Sequence, residues 1–128
     1  AIEEMLRWTC PLHYFRRTAT CDTEIRGQKI RAGDRVVMLY SSANFDEEVF
    51  VDPMNFDITR SHNPHMAFGH GIHLCLGANL ARMEARAFFE EFFKHFSGIE
   101  SGAQPVYIRS NSIHGFKDMP VFLTPRER

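Results

Sequence analysis

Phe68-Gly69-His70-Gly71-Ile72-His73-Leu74-Cys75-Leu76-Gly77 sets one thiol between a glycine-rich loop and the strongest helical pattern in the chain. Gly69 and Gly71 open backbone conformations barred to other residues and permit close approach of a flat ligand. Behind the loop, Leu80, Met83, Ala87 and Ala81, Ala85, Phe88, Phe92, Phe96 recur at helical spacing, which predicts a helix over 78–96. The free N–H groups and dipole of its first turn favour an anionic sulfur at Cys75. Leu74 and Leu76 flank that sulfur with apolar bulk. A thiolate in a dry, donor-lined pocket suits a ligand to iron, and His73 could donate a hydrogen bond to an acidic group near the metal.

Outward from the loop, Asn79, Arg82, Arg86, Glu90 and Lys94 form the polar stripe of the predicted helix, with Glu90 and Lys94 as an i,i+4 pair and Gly98 as C-cap. Val106 to Arg109 and Val121 to Leu123, around Asn111 to Gly115, predict a terminal hairpin. Upstream, residues 1–9 favour helix and Pro11 stops it. Thr23 to Ile25 and Lys29-Ile30 flank Gly27 as a tight hairpin, and Arg35 to Tyr40 is apolar enough for a buried strand. Ser41 to Glu48 has room for a short helix. Residues 50–64 show no period, and Phe50, Phe56 and Ile58 predict that this segment is packed down. The expected class is α+β, one unit over 1–128: helix, short strands, irregular segment, cysteine loop, long helix, terminal hairpin.

The chain has 128 residues, 44% hydrophobic, with 15 basic against 16 acidic side chains. That balance argues against a nucleic-acid partner. No apolar run approaches the roughly 20 residues of a membrane span, and no signal-peptide pattern opens the chain. Ala1 is not Met and lies within a helical pattern, so an upstream portion is expected to be absent. Three cysteines (Cys10, Cys21, Cys75) do not make a disulfide framework, which points to a reducing cytoplasm.

The cysteine loop resembles the haem-binding signature of the cytochrome P450 family, Phe-x-x-Gly-x-His/Arg-x-Cys-x-Gly, through Phe68, Gly71, His73, Cys75 and Gly77. Glu4-Met-Leu-Arg7 is similar to the family's Glu-x-x-Arg helix motif, and its spacing puts both charges on one face. Asn63-Pro-His65, Ala67-Phe-Gly69 and Leu80-Ala-Arg82 resemble its bacterial, soluble members. The resemblance implies haem b with Cys75 as iron ligand, Phe68 shielding the sulfur, and N–H groups at Gly77 directed to it. It implies Gly69 and Gly71 against the cofactor, and His73 and Arg17 on the haem propionates. Glu4 and Arg7 are implied to lock the irregular segment down, with neutral Asn55 where many members carry an arginine. Leu12, His13 and Tyr14, with Ile113 and His114, are implied near the substrate. Arg82 and Arg86 are implied on the surface where a ferredoxin-type donor docks.

Plainer readings stand beside these. Cys10 and Cys21 read as small hydrophobes. His62, His65, His70 and His73 could in principle furnish a zinc site, but zinc does not call for the Phe68-Gly69 and Gly71 framing. His62 and His65 are expected as loop caps or facing solvent. The phenylalanines at 88, 89, 92, 93 and 96 are expected in the core by default, but they cover more than one helical face, so some are expected to pack on elements outside this chain. Nothing in the chain matches the family's distal helix. Two functions follow: a haem-thiolate monooxygenase placing one atom of O2 into a small apolar substrate in the longer parent, or a non-catalytic chain that folds or self-associates by itself.

Overall fold

The computed structural model describes residues 1–127, and its elements mix α and β as the sequence implies. Helix α1 (Ile2–Thr9) ends at Cys10, which takes a left-handed φ of 37° and donates its N–H to Leu6 O at 3.0 Å. Strand β1 (Tyr14–Thr18) pairs antiparallel with β4 (Arg35–Leu39), Phe15 opposite Met38 and Arg17 opposite Val36. Between them β2 (Thr23–Ile25) and β3 (Gln28–Ile30) form the expected hairpin. Its two-residue turn takes φ of 49° at Arg26 and 81° at Gly27, positive at both positions, as the twist of such a hairpin demands.

The buried-strand reading of Arg35 to Tyr40 is corrected. β4 belongs to a two-stranded ribbon, Val37 and Leu39 stand 50% and 54% exposed, and Tyr40 already opens helix α2 (Tyr40–Ala43). The short helix expected within Ser41 to Glu48 is present and begins one residue earlier, at Tyr40. Residues 50–64 are irregular, as expected.

Helix α3 (Ala78–His95) runs directly into β5 (Phe96–Ser101), so Gly98 is a strand residue opposite Thr124 rather than a cap. The predicted terminal hairpin is also corrected. β6 (Val106–Tyr107) pairs with β7 (Phe116–Asp118), while β8 (Val121–Pro125) pairs with β5 around that inner pair. Pro120 has no N–H to give a ladder, so the strand breaks there; its carbonyl takes the Gly102 N–H at 2.9 Å. On α3, Lys94 and His95 both bind Glu91, at 2.8 and 3.0 Å, in place of the expected Glu90 to Lys94 pair.

The phenylalanine stripe is not core. Ala78 is the buried residue of α3, whereas Phe88 and Phe93 are 61% and 51% exposed. The rings stack on one another, Phe88 on Phe92 at 5.9 Å and Phe92 on Phe96 at 5.1 Å. Periodicity reported the helix correctly, but the elements described here do not cover its apolar side.

The centre of the fold is polar. Arg7, Glu4, Asn44 and Cys10 are the largest fully buried side chains. Arg7 uses all its donors: Nε and Nη2 bind the two Glu4 oxygens at 2.8 and 2.7 Å, Nη1 binds the carbonyls of Asn44 and Pro53 at 2.8 and 2.9 Å, and Nη2 also reaches Asn55 O at 3.2 Å. Asn44 Nδ2 donates to Arg7 O at 3.0 Å, and Asn44 Oδ1 accepts the Met66 N–H at 2.6 Å. Glu4 further accepts the Asp57 N–H and Asn63 Nδ2, both at 2.9 Å. These bonds tie α1 to the irregular segment, satisfying main-chain groups that no strand ladder or helix serves.

Asn55 is not the third member of this cluster. Arg60 is: its Nε lies 3.2 Å from Glu4 Oε2, and its other nitrogens bind the carbonyls of Val51, Asp52 and Asn55. Asn55 is exposed and contributes only its main-chain oxygen, so the cluster keeps its second cation. Accordingly, Arg60→Ala is expected to cost about 2–3 kcal/mol in urea unfolding. Asn55→Ala should change stability by no more than about 0.5 kcal/mol.

The same cluster sets an acid limit. The Arg7 hydrogen bonds, helped by the Asp57 N–H and the Arg7 and Arg60 charges, outweigh burial and hold Glu4 down to about 2 from 4.5. A carboxyl depressed in the folded state contributes stability above its unfolded value and loses it as pH falls through the folded value. Stability should therefore decline between about pH 4.5 and pH 2, by on the order of 3 kcal/mol from this group. Urea midpoints across that range check it, and Glu4→Gln should flatten the decline.

Candidate functional site

The cysteine loop is held by its own backbone. Gly69 N–H bonds Met66 O at 2.8 Å, Leu74 N–H bonds Gly71 O at 3.0 Å around the 3-10 turn Gly71–His73, and Cys75 N–H bonds Phe68 O at 2.9 Å. Gly69 has φ of 73°, and a Cβ there would sit 3.2 Å from the Tyr40 hydroxyl and 3.4 Å from His73 O. Only glycine fits that position without displacing a neighbour. Ala78 N–H then bonds Cys75 O at 3.1 Å, so the cysteine stands at the entry to α3.

The Cys75 thiol is exposed and makes no hydrogen bond among the described residues. Cys10 is its opposite. It is 1% exposed, its Sγ contacts Leu12 O at 3.3 Å, and burial pushes its thiol up to about 11, which makes it a packed, unreactive group.

Cys75 opens into a cavity of about 490 Å³. The loop lines it with Ala67, Phe68, Gly69, His73 and Cys75. The opposing wall is Leu6, Pro11 and Leu12, joined by Phe15, Arg17 and Tyr40. Period-two alternation along β1 turns Phe15 and Arg17 to the cavity and Arg16 away from it. The result is a mainly apolar hollow with one thiol, one guanidinium and one imidazole on its walls.

Of the residues singled out in the sequence, Cys75, Phe68, Gly69, His73, Arg17 and Leu12 line this cavity. Gly71 and Gly77 shape the loop without lining it. Glu4 and Arg7 lie in the buried cluster, away from the hollow, and exposed Asn55 touches that cluster only through its carbonyl. His13, Tyr14, Ile113 and His114 are not on its walls. Ile113 bridges to Leu12, and His114 stacks between His13 and Tyr107 while its Nδ1 bonds Thr9 O at 2.8 Å. Leu6, Pro11, Phe15, Tyr40 and Ala67 were not foreseen; the alternation of β1 around Arg17 was the available signal for Phe15.

Of the two expectations for His65, loop cap or solvent-facing, the first holds: its side chain is 2% exposed, Nδ1 accepts the Ala67 N–H at 3.2 Å, and Nε2 lies 2.9 Å from Glu3 Oε2. His62 is exposed. Arg82 is engaged by Glu3 through two bonds of 2.8 and 2.9 Å, which leaves Arg86 as the exposed arginine of that stripe. Among the described residues no group of three or more His, Cys, Asp and Glu side chains is gathered as a metal site. No helix among the described residues is long and apolar enough to cross a membrane.

Known proteins share this arrangement. Cytochrome P450-terp of a Pseudomonas species is 46% identical over 123 residues, covering 96% of this chain and 29% of that protein. The methyl-branched lipid omega-hydroxylase of Mycobacterium tuberculosis is 48% identical over 122 residues, covering 94% of the chain and 28% of the relative. Among solved structures, the Mycobacterium marinum cytochrome P450 in complex with pseudoionone superposes with a TM-score of 0.89 at 48% identity, over 94% of this chain and 29% of that one. The thermophilic cytochrome P450 of Sulfolobus tokodaii gives 0.94 at 41% identity, over 98% and 34%. The chain thus spans less than a third of the length of the curated relatives described here. The sequence profile of Cytochrome P450 matches residues 1–118, and with it the chain belongs to the cytochrome P450 family.

Proposed function

We propose that this chain is the haem-ligating part of a haem-thiolate monooxygenase, in which Cys75 binds the iron of haem b. The observation that carries the reading is the exposed Cys75 thiol, which opens into a mainly apolar hollow that also holds Arg17 and His73. The donor chemistry fits the group: a soft thiolate for iron, apolar walls for a flat macrocycle, and two nitrogen donors for its carboxylates. Haem supplies the dioxygen and electron-transfer chemistry, by which one oxygen atom enters a small apolar substrate.

The chain's own residues bind, orient and dry that group. Cys75 donates electron density through sulfur, and Phe68 covers the sulfur on the cavity side. Gly77 and its neighbours would offer main-chain N–H groups to the sulfur. Arg17 and His73 hold the propionates. Leu6, Leu12 and Phe15 exclude water, and Leu12 with its neighbour Ile113 forms the edge nearest the substrate. His13, Tyr14 and His114 stand behind that edge and fix its shape. Exposed Arg86 marks the face offered to a ferredoxin-type donor, while neighbouring Arg82 is engaged by Glu3. Three free cysteines agree with a reducing cytoplasm.

The test is haem titration into the purified chain, followed by reduction and exposure to carbon monoxide. A thiolate-type absorption band is expected. Absence of haem uptake would sink ligation by this chain, and tight zinc binding without haem affinity would overturn the cofactor. A second reading has its own support: Ile72 and Leu76, which flank Cys75, are 97% and 103% exposed. Without haem, such surface favours self-association of a chain lacking catalysis. Sedimentation velocity with and without haem separates the two, since only self-association through this face should be reversed by haem.

A further inference from the structure

Two side chains converge on the Phe68 ring and both end on one carboxylate. The Arg82 guanidinium carbon lies 4.7 Å over the ring centroid, and the His65 ring centre is 6.0 Å from it. Arg82 Nε and Nη2 donate to the two oxygens of Glu3 at 2.8 and 2.9 Å. His65 Nδ1 accepts the Ala67 N–H at 3.2 Å, so Nε2 carries the proton that it donates to Glu3 at 2.9 Å. The tautomer and the ring plane of His65 are thereby set.

This arrangement reaches across the cysteine loop. Glu3 is on α1, His65 precedes the loop, and Arg82 is on the first turns of α3. Phe68 lines the cavity beside Cys75, and its carbonyl holds the Cys75 N–H at 2.9 Å. The Glu3 and Arg82 side chains are 42% and 37% exposed, so their ion pair adds little to global stability. A bidentate pair stacked on an aromatic ring is suited instead to fixing an orientation.

We propose that Glu3, His65 and Arg82 form a positioning clamp that sets the Phe68 ring and, through it, the exposure of the Cys75 sulfur. The functional sense of the clamp rests on the haem-thiolate reading of Cys75, but its geometry does not. Arg82 is accordingly committed inward rather than free for a docking partner.

The haem-free full chain tests it, by the alkylation rate of Cys75 with iodoacetamide at fixed pH in a Cys21→Ser background. Arg82→Gln and Phe68→Ala should each speed alkylation about three- to tenfold, and the double variant should react no faster than Phe68→Ala alone, because coupled residues are not additive. Multiplying effects, or an unchanged rate in Arg82→Gln, would overturn the clamp. Should Arg82→Gln not fold, Glu3→Gln releases the same guanidinium with both contact residues kept, and the same cycle decides. The carbon monoxide band of the unaltered chain reports separately on haem ligation. A missing band with the cycle intact removes the cofactor reading and leaves the clamp.

Discussion

Cys75→Ala is expected to abolish the thiolate-type carbon monoxide band completely while shifting the unfolding free energy by no more than about 0.5 kcal/mol. The two halves of this result have different origins. The sulfur is exposed and takes no hydrogen bond among the described residues, so its loss removes no packing and strands no partner. The loop is built from main-chain bonds, Cys75 N–H to Phe68 O at 2.9 Å and Ala78 N–H to Cys75 O at 3.1 Å, and alanine keeps both. Ligation, by contrast, has no substitute. Cys10 is buried and Cys21 lies outside the cavity lining. The reduced spectrum with carbon monoxide and a urea titration read the two halves separately. A thiolate band that survives the substitution would move the ligand to another cysteine, and a large stability loss would make Cys75 a structural residue.

The contrast between the cysteine loop and the rest of the chain explains what could be read in advance. The loop, α3 and the β2–β3 hairpin depend on neighbours within a few residues: Gly69 with its φ of 73°, the Arg26-Gly27 turn, the apolar period after Ala78. Local chemistry writes such features directly into sequence. Arg60 could not be found this way, because nothing in Phe56 to Arg60 announces a carboxylate 56 residues upstream. Asn55 stood in its place, and the structure shows that only its carbonyl takes part. The opposing cavity wall comes from Leu6, Phe15 and Tyr40 on three elements, a convergence that no periodicity encodes. The nested β5–β8 and β6–β7 pairs were legible only through Pro120, read after the fact.

Adjacent residues of α1 organise both halves of the molecule. One step of an α-helix rotates by about 100°, so Glu3 and Glu4 leave the helix in different directions. Glu4 enters the buried cluster and gathers Asp57, Arg60 and Asn63. Glu3 stays half-exposed and holds His65 and Arg82 at the cysteine loop. The Arg82 guanidinium holds the Glu3 carboxyl below its ordinary range, with help from His65, in the same sense as Arg7 acts on Glu4. A single short helix therefore ties down the irregular segment and the thiol-bearing loop at once.

That double duty makes Arg7→Leu the most damaging single change expected in the fold. All five of its donor contacts are spent, on both Glu4 oxygens and on the carbonyls of Asn44, Pro53 and Asn55. Leucine fills part of the volume but leaves a carboxylate that is 1% exposed with Arg60 as its remaining cation. Breaking a buried pair on one side costs about 3–5 kcal/mol, against a typical total of about 5–15 kcal/mol. The urea midpoint should collapse, or the chain should fail to fold at 37 °C. Arg7→Lys should recover only a minority of the loss, since one ammonium cannot serve a carboxylate and three carbonyls at once. Arg7→Leu combined with Glu4→Leu should be more stable than Arg7→Leu alone, because the orphaned charge is gone. If the double variant is instead the weaker of the two, the damage lies in the carbonyls of the irregular segment, and Arg7 matters more as a donor to that backbone than as a partner of Glu4.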